Sequence, residues 1–72
     1  MTFFAFDEGQ GLNEHVAPFD ALASVIYGEA EVVVSGKFRR VKEREAIILP
    51  ANKPNALKAV SKFKMMLIMI KA

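Results

Sequence analysis

Apolar and polar residues along this chain alternate in short runs bounded by glycine and proline, which is the pattern of strands. Thr2 to Phe6 is aromatic-rich, Ala21 to Tyr27 and Glu31 to Ser35 are enriched in Val, Ile and Tyr, and Ala46 to Leu49 is a run of four apolar residues. Phe63 to Ile70 is long and extended in character. Gly9 and Gly11 bracket a loop and Gly28-Glu29 separates two strands. Ser35-Gly36-Lys37 reads as a hairpin turn, because glycine accepts positive φ. Proline cannot donate to a ladder, so Pro50 ends the strand Ala46 to Leu49 and Pro54 sits in the loop before a strand from Asn55 to Val60.

The stretch Phe63 to Lys71 also admits a helix, since Met, Leu and Lys are good helix formers. Eight nearly uninterrupted apolar residues without a cap before them fit better a strand buried on both faces, or one that meets a second subunit. Short strands at this spacing predict an all-β sandwich or barrel in a single domain, residues 1–72, with no internal repeat or linker.

Size and composition narrow the picture. The chain has 72 residues, 53% of them hydrophobic, and no cysteine, which excludes a disulfide framework, a thiolate metal site and a cysteine nucleophile. Below about 70–80 residues a single core rarely supplies more than ~3–5 kcal/mol, and a partner subunit is the expected support once staples are missing. The longest apolar runs, Ala21 to Ile26 and Met65 to Ile70, fall far short of a membrane-spanning helix, and Met1 to Asp7 lacks a basic stretch and small-residue cleavage site. The expected location is the cytoplasm, with no membrane partner.

Charge is split along the chain: residues 1–36 carry six acids and no base, whereas residues 37–72 carry ten bases and two acids, for a net +2. Such a chain can pair acidic strands with basic ones. The densest basic run, Lys37 to Arg44, reads as a solvated strand; only Phe38 interleaves as a stacking aromatic, so no nucleic-acid partner is expected. Ser24, Ser35 and Ser61 have no evident triad, since His15 is the one histidine. Gly9-Gln-Gly11 is no phosphate loop, and Asp7-Glu8 reads as a turn. No catalytic residue is assigned.

From Gly9 the spacing becomes specific. Gly9, five residues, His15, Val16, Ala17, three residues, Ala21, six residues and Gly28 follow the frame of the first cupin motif, G-x5-H-x-H-x3-4-E-x6-G. Pro50-Ala-Asn-Lys-Pro-Asn55 through Ala59 lies on the second, G-x5-P-x-G-x2-H-x3-N. The chain thus resembles a small single-domain cupin, and the resemblance implies a small antiparallel β-barrel of the jelly-roll kind. Relative to that family the chain looks short by roughly one or two N-terminal strands, which would leave an edge to be covered by another chain.

The resemblance also implies where the family's metal ligands fall: His15 keeps the first, while Ala17, Ala21 and Asn55 replace the other three. Arg44 and Asn52 stand at the second motif's glycines and Ala59 at its asparagine. A first-row metal needs three or four His, Cys or carboxylate ligands, so no metal and no cofactor is expected. Neither Glu14 nor Asp20 should substitute, because each alternates away from its neighbour, His15 or Ala21. The expected function is a metal-free cupin-like barrel acting as a small-molecule binding or structural module. Its cavity would be lined by His15, Ala17, Ala21, Val25, Asn55, Leu57 and Met65 and take a small, partly apolar ligand. The expected partner is a second copy, through strands near Thr2 to Phe6 or Phe63 to Ile70. The alternative is a metal-dependent dioxygenase or isomerase with an unusual ligand set around His15.

Overall fold

A computed structural model describes residues 1–70; Lys71, the end of the helical alternative, and the domain boundary at residue 72 lie outside the described residues. Eight strands follow one another: β1 (Thr2–Phe6), β2 (Gly11–His15), β3 (Asp20–Tyr27), β4 (Glu29–Val34), β5 (Lys37–Lys42), β6 (Ala46–Leu49), β7 (Asn55–Ala59) and β8 (Phe63–Ile70). They form two four-stranded sheets, β1-β8-β3-β6 and β2-β7-β4-β5, antiparallel throughout. Only β4 and β5 form a hairpin within one sheet; every other connection crosses to the opposite sheet, which is the jelly-roll manner of enclosing a core.

Strand propensity wins over helix propensity at β8 because both of its faces have work to do. Phe63 and Met65 are sealed in the core, whereas Met66 and Ile68 alternate outward and are half-buried. A helix would place only one stripe against the opposite sheet. The core consists of Ala23, Val25, Ala30, Val32, Val41, Leu57, Ala59, Phe63 and Met65, with Phe4, Phe6, Leu12, Ile47, Leu49 and Leu67 packed around it. Phe4, Phe6 and Phe63 stack at centroid separations of 5.9 and 6.2 Å and fill one end of the barrel.

The hairpin at Ser35-Gly36 has two residues in the turn, with φ of 50° and 79°. Two positive φ values match the right-handed twist of the flanking strands. The split of charge resolves on the outer face of the second sheet. There Lys58, Glu31 and Arg40 lie in one cross-strand row and Glu29 faces Lys42. Arg40 donates to Glu29 at 2.8 Å and lies 3.8 Å from Glu31. The hydrogen bond to Glu29, then its charge, raise the Arg40 pKa above its already high ordinary value.

Three strands differ from the sequence reading at four boundaries. Asp20 joins β3, Glu29 and Ala30 join β4, which ends at Val34, and β7 stops at Ala59. The larger difference is β2, which replaces part of the expected glycine loop. Gly11 pairs with Lys58 there, and a Cβ at that position would overlap the Leu57 carbonyl group. Glycine is therefore what lets β2 lie close to β7.

Candidate functional site

One end of the barrel is plugged by the phenylalanines; the other is a mouth whose rim is tied together by backbone. The Ala51 N–H donates to Asp20 Oδ1 at 2.6 Å, the Asn52 N–H to the Ala17 carbonyl at 2.7 Å, and the Ser35 N–H to the Pro54 carbonyl at 2.9 Å. These bonds join the β2–β3, β4–β5 and β6–β7 connections, so the rim is held in place without a bound group.

Register places the site residues. On the inner face of the second sheet His15 lies opposite Asn55, and Asn55 opposite Val34. On the facing sheet Ala21 lies between Met69 and Leu49. Asn55 is only 6% exposed. Among the described residues its amide takes no side-chain hydrogen bond, yet none of its polar atoms is sealed from solvent without a partner. A buried amide of this kind is costly unless something in the mouth, water or ligand, pairs with it.

The seven sequence-predicted residues divide into two groups. His15 and Asn55 pair at the mouth end of the second sheet and Ala21 lies at the same end of the facing sheet, with Ala17 half-buried in the rim loop. Val25 faces Met65 and both are sealed in the packed core, with Leu57 between the core and the mouth. Leu49, Met69 and Val34 complete the mouth. The inward alternation of β6 and β8 was the available signal for the first two, while Val34 needed the β4–β7 register.

Whether these residues suit the metal that the motif frame implies depends on their donors. His15 is exposed, and its Nδ1 lies 3.0 Å from the Asn13 carbonyl oxygen. A neutral ring donating there leaves Nε2 as its acceptor. Asp20 is spent on the Ala51 N–H, and Glu14 borders a groove on the outer face with Glu31 and Lys58. Among the described residues no three His, Cys, Asp or Glu side chains come together. One imidazole beside a neutral amide does not fit a first-row metal.

The same fold recurs in solved structures. A conserved protein of unknown function from Streptococcus pyogenes superposes at a TM-score of 0.94 with 37% identity over 97% of this chain. A cupin 2 conserved barrel domain protein from Leptotrichia buccalis gives 0.91 and 43% over 96%, and a cupin superfamily protein from Desulfitobacterium hafniense 0.91 and 24% over 97%. Fold and motif frame together define a small all-β barrel of the cupin superfamily. The chain is a small cupin domain, and it spans 61%, 34% and 64% of the length of those three proteins, respectively. No family model and no curated protein matches it.

Proposed function

We propose that this domain binds a small, partly apolar molecule at the barrel mouth and does so without a metal. The observation that supports this most is Asn55, a nearly buried amide with unspent hydrogen-bonding capacity, beside Val34 and His15 at the end of the barrel where the facing sheet carries Ala21, Leu49 and Met69. Pockets of this chemistry, apolar walls with a few placed polar groups, suit small organic ligands. His15 supplies a second polar contact at the rim.

The test is thermal denaturation with a panel of small organic acids, alcohols and aromatics, alongside zinc, manganese and nickel salts. A ligand at about a hundred times its Kd adds about 2.7 kcal/mol of stability, several degrees in a domain this small. Stabilisation by an organic compound, lost in Asn55→Leu, is the expected result. Stabilisation by the metal salts alone would overturn the reading.

We further propose that a second copy covers the outer face of the first sheet. Two cross-strand rows there, Phe3–Met66–Ser24–Ala46 and Ile68–Leu22–Ile48, contain no charged residue. Phe3 is 66% and Ile48 48% exposed. With Ile70 these rows present on the order of 500 Å² of apolar surface, at the upper end of what monomers show. Doubled across a two-fold axis and extended by a polar rim, that approaches the roughly 1,200–2,000 Å² of a stable interface. An uncharged face needs no complementary partner and is complementary to itself. The total surface of 4809 Å² also exceeds the about 4,450 Å² expected of a compact monomer of 8.0 kDa.

A further inference from the structure

The basic run Lys37 to Lys42 is divided by strand alternation, and the two halves meet different surroundings. Arg40 and Lys42 point to the outer face, where Glu29 and Glu31 lie opposite them. Lys37 and Arg39 share the face of buried Val41, which is the inner one. Lys37 lies opposite Val34, so the row His15–Asn55–Val34 continues to it; Arg39 lies opposite Val32, one row deeper. Both side chains line a cavity of about 370 Å³ with Val34, Ala46, Ile47 and Ile48, between the free edges of β5 and β6.

No carboxylate lines that cavity. Among the described residues every ion pair belongs to Arg40, and Asp20 at the rim is engaged with the Ala51 N–H. Two cations therefore stand at an apolar wall with no negative group beside them. Both cations are exposed, and a carboxylate matches a guanidinium fork and an ammonium together, which a neutral occupant does not. Asn55 and Lys37 are two strand spacings apart, about 10 Å. A molecule that touches both must carry an apolar body of that length, which Val34, Ile47, Leu49 and Met69 can cover.

We propose that the ligand of the mouth is a small organic anion, a carboxylate with an apolar body, its head held by Lys37 and Arg39 and its body lying along Val34. This rests on the mouth being a binding site, and the test separates the two ideas. Hexanoate, 1-hexanol and inorganic phosphate are titrated into the full chain while backbone amide signals are followed by NMR. Hexanoate is expected to shift Val34, Lys37 and Ile47 saturably and to bind at least about tenfold more tightly than 1-hexanol. Arg39→Gln should reduce hexanoate to the level of the alcohol, whereas Arg40→Gln, on the other face, should not. Both residues are exposed, so neither change threatens the fold.

Equal binding of acid and alcohol would overturn the anion assignment and leave the mouth reading intact. Phosphate binding as tightly as hexanoate would overturn the apolar body. No shift at the mouth with any of the three overturns the proposal. If the organic panel then also fails to stabilise the chain, the mouth reading falls with it.

Discussion

At the scale of single residues, the bends of the motif frame are kept where its residues differ. Gly9 and Gly28 have φ of 86° and 82°, and Arg44 and Asn52, which stand at the second motif's glycines, keep left-handed backbone at 71° and 61°. The substitutions removed the glycines but not the bends they served. A left-handed conformation costs a side-chain-bearing residue roughly 1–2 kcal/mol, and glycine returns part of that gain as chain entropy. Arg44→Gly should therefore stabilise the domain by about 0.5–1 kcal/mol, a rise of a few degrees in Tm by circular dichroism. Asn52→Gly should gain less, since asparagine tolerates this region. A lower Tm for Arg44→Gly would mean that the Arg44 side chain holds the corner more firmly than its backbone strains it. The replaced ligand and glycine positions follow from the resemblance to the cupin motifs; that the backbone stayed bent could not be read from it.

At the scale of elements, legibility tracked how many apolar residues each strand commits. β3, β4, β6 and β8 announce themselves because several positions on each are buried or half-buried. β2 offers only Leu12 to the core, and its register slips between Leu12 and His15, so neither content nor period marks it as a strand. The role of Lys37 and Arg39 was hidden for a related reason. Alternation along β5 shows that they share a face with Val41, but only the pairing with β4 places that face inside the barrel. The outer face of β1-β8-β3-β6 carries the element-scale prediction. Sedimentation equilibrium should show a dimer, twice the 8.0 kDa chain mass. Ile48→Lys, at an exposed position of that face on its edge strand β6, should weaken it at least about tenfold, and Phe38→Lys on the opposite outer face should not. A monomer at all concentrations, or dissociation by Phe38→Lys alone, would contradict the assignment.

At the scale of the whole molecule, the domain spends its few large side chains on one end. Ala21, Ala23, Ala30 and Ala59 are four of the ten buried hydrophobic residues among those described, so the core is thin, and the phenylalanine stack closes the end away from the mouth. What remains at the other end is a rim fixed by backbone hydrogen bonds and an interior that is apolar on one sheet and polar on the other. No helix among the described residues is long and apolar enough to cross a membrane. The barrel itself could be read from the sequence, through periodicity and the motif frame. The division of the candidate site into mouth and packed core could not, because it depends on how deep each inward residue sits.

The metal content of natively purified protein, measured by inductively coupled plasma mass spectrometry, separates a mouth that takes an organic molecule from one that holds a metal. Iron, manganese, nickel and zinc together are expected below about a tenth of a mole per mole of chain, since one imidazole and an amide retain them poorly. Near-stoichiometric metal that is lost in His15→Ala would contradict the metal-free reading.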